Sequence, residues 1–183
     1  MPIQVTATDL QEVKIIEPAV FRDGRGFFFE SFNAREFDEN VAQGFEFVQD
    51  NHSRSKRGVL RGLHYQIVRP QGRLVRVVAG EVFDVAVDLR LSSPNFGKWV
   101  GIRLSARNYR QLWIPPGFAH GFIVLSVVAD FVDKATDYWL PEYERSLLWN
   151  DPMINIDWPS GQTPVLAAKD AEGKPLFEAE CYS

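Results

Sequence analysis

The run Glu81–Arg90, EVFDVAVDLR, constrains this chain more than any other segment. Phe83, Val85, Val87 and Leu89 alternate with Asp84, Ala86, Asp88 and Arg90, a period of two that belongs to a strand. Other β-rich runs surround it: Lys14–Ile16, Phe27–Phe32, Phe45–Gln49, Arg73–Val78, Trp99–Leu104, Gln111–Ile114, Gly121–Leu125 and Phe131–Tyr138. Turn residues separate several of them, at Asp23-Gly24, Pro70-Gln71-Gly72, Ala79-Gly80, Ser93-Pro94-Asn95 and Pro115-Pro116-Gly117. Many short strands at this spacing predict an all-β fold, an antiparallel sandwich or barrel. Helix is scarce. The clearest candidate is residues 34–43, with Asn33 as N-cap, Glu36 at the third helical position and Phe37 and Val41 on one face.

The 183 residues suit a single domain, 1–183, and show no repeat or linker. A hydrophobic fraction of 45% is enough for a substantial core. The tail from Trp158 to Ser183 has weak periodicity and carries Pro159, Pro164 and Pro175, so it is expected to wrap the sheets. A net charge of −4 argues against non-specific binding to nucleic acid or anionic membrane, so any anionic ligand must be met by locally placed arginines. The single cysteine, Cys181, leaves no internal disulfide and fits a reducing compartment. The opening residues MPIQVTATDLQEVK carry no apolar signal core, and no run reaches membrane-spanning length. The expected location is cytoplasmic.

There are three histidines, His52, His64 and His120, and none has a second histidine two residues away. That spacing argues against a metal site. His64 lies in VLRGLHYQ, residues 59–66. Strict alternation there puts Arg61 and Leu63 on one face and Gly62, His64 and Gln66 on the other. Such a polar face suits the inside of a ligand-holding barrel and equally the wet side of a sheet. A catalytic imidazole also needs an orienting carboxylate, and Glu30, Asp84, Asp88 and Asp170 are all available. Arg25 and Arg61 adjoin glycines that let a ligand approach, and their forked donors suit phosphate oxygens, whereas Arg54, Lys56 and Arg57 read as solvated charge. No Walker or dinucleotide fingerprint is present. Most aromatics, Phe27, Phe29 and Phe83 among them, are expected in the core. Tyr138-Trp139 suits either a buried pair or a stacking platform for a base or sugar.

The ordered blocks RGFFFE (25–30), FVQDNHS (47–53), VLRGLHYQ (59–66), GEVFDVAVDLR (80–90), RQLWIPPGFAHGF (110–122), LLWNDP (147–152) and AKD (168–170) strongly resemble the dTDP-4-dehydrorhamnose 3,5-epimerases. The resemblance covers nearly the whole chain. It implies a cupin-type jelly roll, a homodimer without metal or organic cofactor, and a dTDP-sugar substrate, dTDP-4-dehydro-6-deoxy-D-glucose. Both inverted carbons, C3 and C5, flank the C4 ketone, so a base can remove each α-proton to give an enolate. The resemblance further implies that His64 is the base, that Asp170 orients it, and that Arg25, Glu30, Gln49, Asp50, Asn51, Arg61, His120, Tyr138, Glu144 and Lys169 meet the substrate.

Two positions depart from the family's pattern. Asp133 stands where most members carry a tyrosine thought to donate the proton, and Arg73 stands where a lysine is thought to face the C4 oxygen. An unperturbed carboxyl is ionised at pH 7 and is a poor acid. Arg73 keeps a positive charge with a wider, flatter head. The two are expected to pair across the pocket. The departures leave two further readings open, a single-centre epimerase of a related dTDP-keto-sugar and a non-catalytic sugar-nucleotide binder.

Overall fold

The structure is a computed structural model that describes residues 2–159, 161 and 163–183. Its strands are β1 (Ile3–Ala7), β2 (Lys14–Pro18), β3 (Phe21–Asp23), β4 (Gly26–Phe28), β5 (Gln49–Lys56), β6 (Leu60–Gln66) and β7 (Arg73–Ala79). They continue as β8 (Glu81–Asp88), β9 (Trp99–Ser105), β10 (Gln111–Ile114), β11 (Phe118–Val124), β12 (Val128–Ala135) and β13 (Glu144–Ser146). The α-helices are α1 (Ala34–Asn40) and α2 (Ala168–Ala171). A six-stranded sheet in the order β1-β2-β10-β7-β12-β5 faces a five-stranded sheet ordered β13-β6-β11-β8-β9, and every ladder is antiparallel. The fold is all-β, a jelly roll of the cupin type.

Several sequence expectations shift at their edges. Ile3–Ala7 was not anticipated as a strand and pairs with β2 along its whole length. Residues 45–48 lie outside the strands, and Phe45 and Phe47 pack on Trp113 instead, at ring distances of 5.0 and 6.0 Å. The strand expected over 131–138 runs instead from Val128 to Ala135, after which the Thr136 N–H bonds to the Gly72 carbonyl. Helix α1 begins where its cap demands, with Asn33 Oδ1 accepting from the Arg35 and Glu36 N–H groups. It stops at Asn40, three residues early, where the Ala42 N–H reaches back to the Phe37 carbonyl and the Gly44 N–H takes the Asp38 carboxylate.

The core explains why β8 is buried on both faces. Between the sheets, Val82 and Ala86 pack with Val75, Val77, Leu112, Phe118, Phe122 and Phe131. On the outer face, Val85, Val87 and Leu89 join Leu63, Leu147, Ile154 and Leu176, with Trp158 and Tyr182 against them. The C-terminal residues supply much of that cover, through bridges at Val59–Val165, Leu147–Lys174 and Arg90–Tyr182. Both faces of the strand therefore leave water, although its sequence alternates. The outer face of the six-stranded sheet is covered by α1, through Phe37, Val41, Leu74 and Trp113.

Candidate active site

A cavity of about 380 Å³ opens between the two sheets. Strand β6 supplies Arg61 and His64, β11 supplies His120 and Phe122, and β13 supplies Glu144. The facing sheet supplies Gln49, Asn51 and Ser53 from β5, Arg73 from β7, and Phe131 and Asp133 from β12. Lys169 and Asp170 arrive on α2, so the tail completes the site. Phe122 and Phe131 stack at 4.1 Å and give the cavity an apolar base.

Strict alternation on β6 would put Arg61 and His64 on opposite faces, yet both line this cavity. The register explains it. His120 pairs with His64 while Phe122 pairs with Arg61, so two steps on β11 answer three on β6. The extra residue is a β-bulge, and it re-aims a side chain. Gly62 makes it possible: its φ is 128°, and a Cβ there would lie 2.5 Å from Gly121 Cα and 2.8 Å from the His120 carbonyl. Leu63 turns outward into the second core cluster. Gln66 is buried and holds the loop after β12, donating to the Arg69 and Tyr138 carbonyls and accepting from the Leu140 N–H.

Two histidine–carboxylate pairs stand side by side on the five-stranded sheet. His64 Nε2 lies 2.5 Å from Asp170 Oδ1, with Asp170 buried and the imidazole partly open to the cavity. Of the four carboxylates the sequence left available, the fold selects Asp170 for His64. Asp84 serves His120 instead, at 2.9 Å. Burial pushes the Asp84 carboxyl up, and His120 pulls it back. Asp88 is engaged elsewhere, in a bidentate pair with Arg90. On the facing sheet, Arg73 Nη1 stands 3.8 Å from Asp133 Oδ2, and Asn51 Nδ2 donates to that same oxygen at 3.0 Å. At the rim, Lys169 Nζ pairs with Glu144 at 3.1 Å.

Four residues singled out from the sequence lie outside this cavity. Arg25 sits on the β3–β4 hairpin, almost fully exposed and paired with Asp23. Phe27 of that hairpin is 57% exposed, so it is no core residue. Glu30 borders a separate small depression with Phe32 and Asn33. Asp50 alternates away from its neighbours Gln49 and Asn51 and pairs with Lys134. Tyr138 gives way to Trp139, which lines the cavity and is tied down by its N–H to Gln49 Oε1 at 3.1 Å. Both aromatics are about half exposed and do not form a buried pair. Sequence reasoning missed Ser53, Gln71, Phe122, Phe131 and Ala167 as lining residues, and left Trp139 open between a buried pair and a stacking platform. Ser53 and Phe131 were within reach, since each shares strand parity with a residue already chosen, Asn51 and Asp133.

Among the described residues, no group of three or more histidine, cysteine or acidic side chains could hold a metal ion, and no helix is long and apolar enough to cross a membrane. The sequence profile of the dTDP-4-dehydrorhamnose 3,5-epimerases matches residues 7–178.

The chain belongs to that epimerase family.

A dTDP-4-dehydrorhamnose 3,5-epimerase of Pseudomonas aeruginosa is 59% identical over 180 residues, covering 98% of this chain and 99% of that one. One from Shigella flexneri is 57% identical over 181 residues, with 98% and 99% covered. The crystal structure of the Legionella pneumophila dTDP-6-deoxy-D-glucose-3,5-epimerase, in complex with dTDP-4-keto-L-rhamnose, superposes with a TM-score of 0.96 at 55% identity. That superposition covers 98% of this chain and 95% of the other. Membership of the epimerase family makes the cavity between the sheets the place to look for its chemistry.

Proposed function

We propose that this chain inverts C3 and C5 of dTDP-4-dehydro-6-deoxy-D-glucose to give dTDP-4-dehydro-L-rhamnose, without metal or organic cofactor. The observation that carries this reading is the His64–Asp170 pair in a polar cavity, on a chain of this family. An ionised carboxylate only accepts hydrogen bonds, so Asp170 holds the proton on His64 Nε2 and leaves Nδ1 with the lone pair. His64 then removes the proton from C3 or C5, and Asp170 stabilises the imidazolium that forms. The C4 oxygen gains charge as the enolate forms, and the guanidiniums of Arg73 and Arg61 are the cations available to meet it. Lys169 at the rim suits the diphosphate, and the exposed indole of Trp139 suits the base or sugar.

The proposal includes a homodimer in the cytoplasm. The β3–β4 hairpin supports a dimer, since two strands alone are marginal in water and Phe21, Phe27 and Phe28 are all more than half exposed. Arg25 and Glu30, remote from their own cavity, would then act on the partner's substrate.

A narrower reading, inversion at one carbon only, draws on Asp133 and Arg73 at the facing wall. Incubation with the dTDP-4-keto-sugar in D₂O, read by NMR, tests both. Deuterium at C3 and C5 with inversion supports the main reading, and label at one carbon supports the narrower. Binding with no label at either carbon leaves only a sugar-nucleotide-binding protein.

A further inference from the structure

Inversion needs a proton to return on the face opposite the one from which it left, so the wall facing His64 decides the outcome. That wall is the inner face of the six-stranded sheet. Asn51 and Asp133 are direct cross-strand partners there, and Arg73 is the partner of Ala135, two residues along β12 from Asp133. The three side chains form one patch. Both donors near Asp133 converge on a single oxygen: Asn51 Nδ2 at 3.0 Å and Arg73 Nη1 at 3.8 Å reach Oδ2. Each donor is itself fixed. Gln49 Nε2 donates to Asn51 Oδ1 at 2.9 Å, and Arg73 Nη2 donates to Gln71 Oε1 at 3.0 Å.

One hydrogen bond and one ion pair thus meet the same carboxylate oxygen, and a carboxylate in this setting serves as an acceptor of hydrogen bonds. The amides of Gln49, Asn51 and Gln71 are not acids. Water is no stronger an acid than the Arg73 guanidinium or the Ser53 hydroxyl that line the same cavity, but it exchanges freely with solvent, so the proton it gives up is restored between turnovers while Arg73 keeps its charge. Among the described residues, no protein donor reaches Asp133 Oδ1, which leaves that oxygen able to accept from a water O–H. The guanidinium beside it can donate to the oxygen of the same water, so a water here has at least two polar partners.

We infer that the proton delivered opposite His64 comes from a water molecule seated between Asp133 and Arg73, with Asp133 a positioning residue and not the acid. This rests on the epimerase reading above. His64 takes the carbon-bound proton and becomes imidazolium, while the C–H electron pair enters the enolate. The water O–H bond then breaks as the new C–H bond forms on the other face. The resulting hydroxide stays beside the Arg73 guanidinium until solvent reprotonates it, and the imidazolium returns its proton to solvent. No net proton is gained or lost.

The test is the ratio of inversion to proton exchange in D₂O for the full-length protein and two variants, Asp133→Asn and Asp133→Val. The asparagine keeps an acceptor oxygen but is no acid, and inversion is expected to fall by less than about tenfold. The valine cannot seat the water. His64 is then expected to return label to the face it came from, so exchange continues while inversion falls by about a hundredfold, the scale of one proton-transfer group. Equal loss of inversion in both variants would show that the carboxyl itself donates, and would overturn the inference. A parallel loss of exchange and inversion in the valine variant, with an unchanged melting temperature, would also overturn it, by placing Asp133 on the base's side of the reaction. Absence of both exchange and inversion in the unmodified protein would instead remove the epimerase reading.

Discussion

Asp170 Oδ1 lies 2.5 Å from His64 Nε2 although 106 residues separate the two in the chain. The carboxylate is buried, and it reaches the imidazole because α2 docks against β6. Replacing Asp170 with asparagine removes the charge that stabilises the imidazolium and leaves the shape. The expected result is a fall in kcat of about 10² to 10⁴ with little change in KM, the range for a disabled general base. Steady-state kinetics on the dTDP-4-keto-sugar decide it, and a change confined to KM would refute the assignment.

Gly62 carries the bulge that turns Arg61 and His64 into the same cavity. Gly62→Ala adds a Cβ at a φ of 128° and 2.5 Å from Gly121 Cα. Backbone strain and overpacking together are expected to cost about 2–5 kcal/mol. Urea unfolding should show that loss, and kcat should drop in the folded remainder because the imidazole is re-aimed.

Lys169 pairs with Glu144 at the cavity rim and is about half exposed. Lys169→Ala is expected to raise KM about tenfold, or ~1.4 kcal/mol, with a smaller effect on kcat. The effect should shrink at high salt, because exposed charges are screened. A KM unchanged at low ionic strength would remove Lys169 from substrate binding.

Asp88 is fully buried, and burial raises its pKa, yet hydrogen bonds from Arg90 and Ser93 outweigh that and hold it below the usual carboxylate value. A depressed folded pKa contributes stability that is present above the unfolded value, about 4, and lost as the pH falls through the lower folded one. Arg54 holds Asp130 down to about 2 in the same way, so its contribution fades between about pH 4 and pH 2. Arg90→Ala strands the buried Asp88 charge and is expected to cost about 2–4 kcal/mol at pH 7. Thermal melts from pH 7 to pH 2 should show the variant and the parent converging at the acid end.

The runs that form β7 to β10 were legible within a residue or two, because β-rich composition bounded by turn residues, joined in β8 by period-two alternation, is a local property. The α1 cap was legible for the same reason. Phe45–Gln49 was misread because its aromatics serve Trp113 and not a ladder, a choice made by residues more than 60 positions away. Asp50 and Tyr138 came from motif matching, and strand parity or loop direction moved each of them out of the cavity while Asn51 and Trp139 stayed in it.

The sequence by itself determined the all-β class, the helix start at Asn33, and the residue types able to move a proton. Local spacing encodes these, and the ordered motif blocks encode the family. Only the tertiary structure decided which carboxylate serves which histidine, that Arg61 and His64 share a face, and that Asp133 and Arg73 meet opposite them. Each of those depends on a bulge register or on the packing of one sheet against the other. Such relationships join residues distant in the chain, and no local pattern records them.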